Sequence, residues 1–171
     1  MARLILVRHG AAANKAQGAD DRERPLTPAG RADISALTRR LGAEGVDSAT
    51  HVLCSPSRRT RETLELLLPH AISVDSNPAL YLGDGPALLK LLRYIEVPAK
   101  SVMMVGHNPG MQQLAVELAG GPATQSGRAL AEEFPAAAAA VFDVAGPWAR
   151  LGLDGVRLVA FYPPQSSGSE V

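Results

Sequence analysis

Leu4-Ile5-Leu6-Val7-Arg8-His9-Gly10 is a run of four apolar residues that ends abruptly in an arginine, a histidine and a glycine. Consecutive branched apolar residues are typical of a strand buried on both faces of a parallel sheet. Gly10 allows the backbone to turn, so Arg8 and His9 are expected at the carboxyl edge of the sheet, where open α/β sheets bind ligands. Because a lone Arg-His pair can also merely cap a strand, the function of this stretch depends on its neighbours.

Two further strand-like runs end in the same way. Residues 101–105 lead into Gly106-His107-Asn108-Pro109-Gly110, and residues 51–54 lead into Ser55-Pro56-Ser57-Arg58-Arg59. Parallel strands present their carboxyl ends at one edge of a sheet. Three strand ends that carry His or Arg can therefore converge on one anion.

Helical patterns separate these strands. Thr27-Pro28, Ser55-Pro56 and Asn108-Pro109 each read as a cap followed by proline, and helical apolar stripes follow them; another stripe occupies residues 85–95. Strands that alternate with helices predict a mostly parallel sheet covered on both faces, a three-layer α/β/α sandwich. Residues 11–25 are expected to form a mobile polar loop, and residues 122–133 an irregular, solvent-facing insertion.

The composition limits the number of domains and the kinds of partner that the chain could have. The 171 residues suit one domain, expected over residues 1–162, with a disordered tail at 163–171. The 17 basic and 17 acidic residues cancel, so neither nucleic acid nor a membrane surface is an expected partner. Cys54 is the single cysteine and lies in the apolar run 51–54. The apolar run 4–7 near the N-terminus is too short for a signal-peptide core. A cytoplasmic protein is expected.

Four motifs in order carry a family resemblance: Leu-Val-Arg-His-Gly at 6–10, Arg-Pro-Leu-Thr-Pro-Ala-Gly at 24–30, Ser-Pro-x-x-Arg-x-x-x-Thr at 55–63, and Val-Gly-His-Asn-Pro-Gly at 105–110. The chain resembles the histidine phosphatase superfamily, which is phosphoglycerate-mutase-like in fold, and is most similar to its small SixA-like phosphohistidine phosphatases. The resemblance implies a strand near residues 138–144. Residues 156–161 then suggest a final hairpin, which would give the sheet an antiparallel edge.

The chemistry of phosphoryl transfer assigns roles to the matched residues. A neutral imidazole is a competent nucleophile, and His9 is the candidate. Arg8 and Arg59 offer planar forks that match phosphate oxygens, whereas alignment with the family makes the neighbouring Arg58 a surface charge. His107 would add a cationic donor, and backbone groups of Gly10 and Asn108 complete the expected phosphate site.

A general acid is harder to assign. Phosphoester-cleaving relatives carry an acid that protonates the leaving alkoxide, and the candidates here are Asp20, Asp21, Glu23 and Asp84, although Asp84 is well placed to cap a helix. SixA-like enzymes lack the large insertion that houses this acid in the mutases. An imidazole leaves more readily than an alkoxide, so a phosphohistidine substrate needs such an acid less.

The leading hypothesis is a metal-independent hydrolase that removes phosphate from phosphohistidine in a protein through a phosphohistidine enzyme intermediate. The alternatives are a small-molecule phosphomonoesterase and a non-catalytic phosphate-binding or docking module; a mutase is disfavoured because the insertion and acid are missing. No His, Cys or acidic residues show tight ligand spacing, so neither metal nor cofactor is expected. The partner is a phosphorylated protein or small phosphorylated substrate, and the sequence does not indicate an oligomeric state.

Overall fold

The structure, a computed structural model, describes residues 1–165. Its strands are β1 (Ala2–Arg8), β2 (His51–Cys54), β3 (Ser73–Ser76), β4 (Ser101–Gly106), β5 (Ala139–Val144) and β6 (Val156–Tyr162). They form one sheet in the order β3-β2-β4-β1-β5-β6. The first four strands are parallel, β5 is antiparallel to β1, and β6 is antiparallel to β5. The predicted mostly parallel sheet with an antiparallel edge is confirmed.

The helices cover both faces of the sheet. They are α1 (Pro28–Gly42), α2 (Arg58–Leu67), α3 (Ala79–Leu82), α4 (Gly85–Arg93), α5 (Gly110–Leu118) and α6 (Gln125–Glu132), with 3-10 turns at Asp21–Glu23 and Trp148–Arg150. Because successive side chains of a strand point to opposite faces, Ile5 and Val7 of β1 pack with α1 and α2, whereas Leu4 and Leu6 pack with α4 and α5. The three-layer sandwich is therefore confirmed.

The register of the parallel strands brings their carboxyl ends to one edge. Arg8 at the end of β1 pairs with Gly106 of β4, and Cys54 at the end of β2 pairs with Val105. The residues that follow each strand, the three segments singled out in the sequence, thus begin side by side.

The prediction of an irregular insertion over 122–133 is wrong, because α6 occupies most of it. Thr124 caps this helix by accepting a hydrogen bond from the Gly127 N–H at 2.9 Å. Among the eight residues of α6, only Gly127 and Leu130 are buried. A helix this short with one large buried side chain shows no apolar stripe in the sequence, and it is stabilised by packing against α5.

The predicted starts of two helices also need correction. Thr27 and Asp84 cap α1 and α4 as expected, by accepting hydrogen bonds from backbone N–H groups three residues later. In contrast, α2 begins at Arg58 and α5 at Gly110, so neither Ser55 nor Asn108 is a cap. Both side chains bond instead to groups of the candidate site described below.

Two further predictions concern the polar loop after β1 and the tail after β6. In the segment predicted as a polar loop, Ala12 pairs with Leu26, and Asp21–Glu23 forms a 3-10 turn. Of the tail predicted over 163–171, residues 166–171 lie outside the described residues, whereas the Pro163 carbonyl accepts a hydrogen bond from Arg40. No described helix combines the length and the apolar composition that crossing a membrane requires.

Candidate active site

The structure brings the four predicted cationic and imidazole side chains together at the carboxyl edge of the sheet. Arg59 Nε lies 3.3 Å from His9 Nε2, and Arg59 Nη2 lies 3.4 Å from His107 Nδ1. The two imidazole rings are 5.0 Å apart between centroids. Arg8, next to His9 in the chain, is close enough that its charge contributes to lowering the His9 pKa. The predicted convergence on one position is thus present in the geometry.

His9 is held in an orientation that leaves one ring nitrogen with a lone pair. Its Nδ1 lies 2.7 Å from the Gly10 carbonyl oxygen, which can only accept, so Nδ1 carries the proton and donates. Nε2 is then the basic nitrogen. Burial, together with the positive charges of Arg59 and Arg8, lowers the His9 pKa to about 4, although the hydrogen bond to Gly10 acts in the opposite direction. His9 is therefore a neutral imidazole at pH 7.

His107 has the complementary arrangement. Its Nδ1 faces the guanidinium of Arg59, which can only donate, so Nε2 carries the proton and donates to Ser55 Oγ at 2.8 Å. Burial, followed by the influence of His9 and Arg59, lowers the His107 pKa to about 3. An anion placed beside Nδ1 would raise this pKa, because an opposite charge favours the protonated form.

The Ser-x-x-x-Arg-x-x-x-Thr spacing at 55–63 has a structural reason at each position. Ser55 holds His107, Arg59 contacts both histidines, and Thr63 Oγ1 accepts from the Gly10 N–H at 3.1 Å while donating to the Arg59 carbonyl. The Gly10 N–H, predicted to contact phosphate, is therefore bound to Thr63, and Gly10 contributes by orienting His9. The sequence predicts Ser55 as a helix cap and the motif includes Thr63, but neither contact could be read from the sequence.

Asn108 and Arg8 share one backbone acceptor. Asn108 Nδ2 and Arg8 Nη1 donate to the Phe134 carbonyl at 2.9 and 3.0 Å. Arg8 Nε and Asn108 Oδ1 are buried without a hydrogen-bond partner in the described part of the chain. The Phe134 carbonyl was missed by sequence reasoning, and no sequence signal could have revealed it because every residue has such a group.

Only one of the four candidate acids reaches the site. Asp21 Oδ2 accepts from Arg59 Nη2 at 3.0 Å and from the Tyr81 hydroxyl. Asp20 is paired with Arg22, Asp84 caps α4, and Glu23 is exposed. Hydrogen bonds from Tyr81, Arg24 and Arg59 hold the pKa of the Asp21 carboxyl far below its ordinary value, so Asp21 is ionised. Tyr81 is a further site residue that the sequence did not indicate.

Arg58, Cys54 and the two remaining histidines, His51 and His70, lie in other environments. Arg58 forms an ion pair with Glu62 at 2.9 Å, and His70 is exposed. His51 is half-buried, with Nδ1 bonded to Ser73 Oγ. Cys54 is buried, which raises the pKa of its thiol to about 12. Within residues 1–165, no group of three or more His, Cys, Asp or Glu side chains could hold a metal ion.

Comparisons with known proteins agree with this fold. The family model of the histidine phosphatase superfamily (branch 1) matches residues 4–81. An uncharacterised protein of Mycobacterium leprae is 32% identical over 146 residues, which cover 85% of this chain and 89% of the relative. A structure of the protein histidine phosphatase SixA complexed with tungstate superposes with a TM-score of 0.75 at 25% identity, covering 96% of this chain and 99% of that one.

A structure of a proposed SixA phosphohistidine phosphatase from Nakamurella multipartitia superposes with a TM-score of 0.84 at 29% identity, covering 96% of both chains. The chain belongs to the histidine phosphatase superfamily. Among the solved structures that it resembles are SixA phosphohistidine phosphatases, and the family makes it a phosphatase.

Proposed function

We propose that this protein hydrolyses phosphohistidine in a protein substrate, with His9 as nucleophile and without a metal ion. The observation that carries the proposal is the neutral His9 imidazole, whose Nε2 faces Arg59 while its Nδ1 proton is held by the Gly10 carbonyl. Arg8, Arg59 and His107 surround the same position and would stabilise the charge on the phosphoryl oxygens.

The reaction would proceed in two displacements. The substrate reacts as its imidazolium form, in which solvent has placed a proton on the ring nitrogen that does not bear phosphorus. Nε2 of His9 attacks phosphorus as the substrate P–N bond breaks, and the substrate imidazole leaves neutral with that proton. Water then attacks phosphorus as the bond to Nε2 breaks, which releases dihydrogen phosphate and restores neutral His9. The His9 proton stays on Nδ1, hydrogen-bonded to the Gly10 carbonyl, throughout, so neither step requires a proton from a carboxylic acid.

The candidate acids support a P–N substrate rather than a P–O substrate. An alkoxide leaving group needs a proton donor, whereas Asp21, the one candidate acid in contact with Arg59, is ionised by its three donors. In phosphohistidine, solvent can protonate the free ring nitrogen before the reaction, so the enzyme needs no such donor. A small-molecule phosphomonoesterase would instead need an acid supplied by the substrate or solvent. The buried, unreactive Cys54 also favours a reducing compartment, and we place the protein in the cytoplasm.

The test compares a phosphohistidine-bearing protein, phosphoramidate and a panel of phosphomonoesters as substrates of the purified chain in excess EDTA. We expect kcat/KM to favour the P–N substrates, and a rapidly quenched reaction to contain acid-labile phosphate on His9. His9→Ala should abolish both signals, and His70→Ala, which alters an exposed histidine, should abolish neither.

Four outcomes would contradict the proposal. Turnover by His9→Ala would exclude the covalent route, and a requirement for added magnesium or zinc would exclude metal independence. Selective turnover of esters would make the protein a phosphomonoesterase, and phosphate binding without turnover of any substrate would make it a binding module.

A further inference from the structure

The guanidinium of Arg59 is bound along two of its edges. Nη1 donates to the Asp21 carbonyl oxygen at 2.8 Å, and Nη2 donates to Asp21 Oδ2 at 3.0 Å. Asp21 thus takes the outer edge formed by the two terminal nitrogens. The Arg59 side chain is only 7% exposed, whereas that of Asp21 is 34% exposed, so the ion pair is buried on the arginine side and reaches solvent on the aspartate side.

The other edge of the guanidinium faces the two histidines. Nε lies 3.3 Å from His9 Nε2, and Nη2 lies 3.4 Å from His107 Nδ1. A guanidinium is planar and carries one hydrogen on Nε and two on each terminal nitrogen. With Nη1 and one Nη2 hydrogen directed at Asp21, the Nε hydrogen and the second Nη2 hydrogen form a fork that donates to His9 Nε2 and His107 Nδ1. That fork has the geometry that matches two phosphate oxygens.

Asp21 is itself fixed by neighbours on both sides. The Tyr81 hydroxyl donates to Oδ2, and Arg24 Nη1 donates to Oδ1 at 2.9 Å. Arg24 Nε in turn donates to the Ala13 carbonyl at 2.7 Å, which ties the 3-10 turn to the start of its loop. The loop after β1 and the helix α3 therefore meet at the Asp21 carboxylate.

From these contacts we infer that Asp21, held by Tyr81, is a positioning residue that aims the Nε–Nη2 fork of Arg59 at the phosphoryl group transferred to His9. The inference rests on the proposed role of His9. Asp21 acts through Arg59 and does not touch the reacting atoms. This differs from the role of general acid, which would require a proton on Asp21; the low pKa of its carboxyl agrees with positioning.

The two roles predict different dependences on the leaving group. We would measure kcat/KM of Asp21→Ala, Asp21→Asn and Tyr81→Phe for a phosphohistidine peptide, p-nitrophenyl phosphate and an alkyl phosphate. Asp21→Ala should lower kcat/KM roughly 100-fold, since a misplacement of about 1 Å can cost that much. The factor should be the same for every substrate that the wild type turns over. Asp21→Asn should recover part of the loss because its amide oxygen can still accept from Nη2. A loss that grows with the pKa of the leaving group would overturn the inference and identify a general acid.

A double-mutant cycle tests whether Asp21 acts through Arg59. Inorganic phosphate is the probe, because its binding can be measured without turnover. Asp21→Ala should weaken phosphate binding in the wild-type background and have no further effect in an Arg59→Ala background. Asp154→Asn, which removes the charge from an exposed ion pair with Arg150, is the matched control and should leave binding unchanged. Additive effects in the cycle would overturn the inference.

The same measurements separate this inference from the proposed function. A wild type that prefers esters would refute the phosphohistidine substrate, while equal losses across the esters would still support positioning. Equal activity of Asp21→Ala and wild type would refute positioning, whatever the substrate preference. Thermal unfolding of each variant shows whether it is folded. If Asp21→Ala does not fold, the test rests on Asp21→Asn and Tyr81→Phe. Wild-type activity in both of these variants would then refute positioning.

Discussion

Arg58 and Arg59 are adjacent in α2, yet their side chains have different environments. Successive residues in an α-helix point about 100° apart, so at the start of α2 one guanidinium is directed inward and the other outward. The Arg59 side chain is 7% exposed and contacts both histidines, whereas that of Arg58 is 47% exposed and pairs with Glu62. Alignment of the motif predicted this difference, and the structure supplies its geometry.

We expect Arg59→Ala to lose several kcal/mol of transition-state stabilisation, which appears as a large fall in kcat/KM. The kcat/KM of Arg58→Ala should remain within a few-fold of wild type. Arg59→Lys should recover little, because an ammonium cannot form the planar fork that faces His9 and His107. Steady-state kinetics with p-nitrophenyl phosphate measures all three variants. Equal losses in Arg58→Ala and Arg59→Ala would contradict the assignment.

At the scale of elements, the segment from α6 to β5 supports the site from outside the parallel sheet. Leu130 of α6 and the following Phe134 are buried in the same apolar cluster as β1 and α5. The Phe134 carbonyl then accepts from Arg8 and Asn108, and the Ala137 N–H donates to the His9 carbonyl at 2.9 Å. Residues 134–137, which directly follow the segment predicted to be irregular, thus contact three of the site residues.

Leu130→Ala should therefore affect both stability and activity. Removing a fully buried leucine side chain costs about 2–5 kcal/mol of the free energy of unfolding, which urea denaturation would measure. Turnover under folding conditions should fall several-fold, because the Phe134 carbonyl would hold Arg8 and Asn108 less well. The matched control is Leu153→Ala, at a leucine that is 64% exposed, which should change neither quantity appreciably. Wild-type activity in a destabilised Leu130→Ala would show that α6 does not support the site.

At the scale of the whole molecule, folding buries two histidines in a site that also holds two arginines. The pKa values of His9 and His107 in the folded chain, about 4 and about 3, lie below the ordinary value of 6.5. As pH falls from 6.5 to 4, the unfolded chain takes up protons on these residues that the folded chain does not. The free energy of unfolding therefore decreases over this window.

We expect a loss on the order of a few kcal/mol between pH 7 and pH 4, measured by urea denaturation at a series of pH values. His9→Ala and His107→Ala should each flatten the dependence, and His70→Ala, at an exposed position, should not. Asp21 contributes in a separate window: its pKa is lowered in the folded chain, so its contribution is lost only below about pH 4. A stability that is constant from pH 7 to pH 4 would contradict the burial of neutral histidines.

The sequence by itself determined the sheet, its parallel core and the four residues that meet at its edge. These features have local signatures: apolar runs of strand length, helical stripes after caps, and motifs placed where strands end. His9, Arg8, Arg59 and His107 follow or end buried strands, so the strand order was enough to bring them together.

Only the tertiary structure decided which groups hold those four residues. Ser55 bonds to His107 across 52 positions, and the Phe134 carbonyl accepts from Arg8 across 126. Asp21 could not be distinguished from the neighbouring Asp20 and Glu23, because the difference lies in the direction of each side chain in a 3-10 turn. Such contacts depend on the packing of distant segments, and backbone carbonyls are the same in every residue, so neither leaves a pattern along the chain.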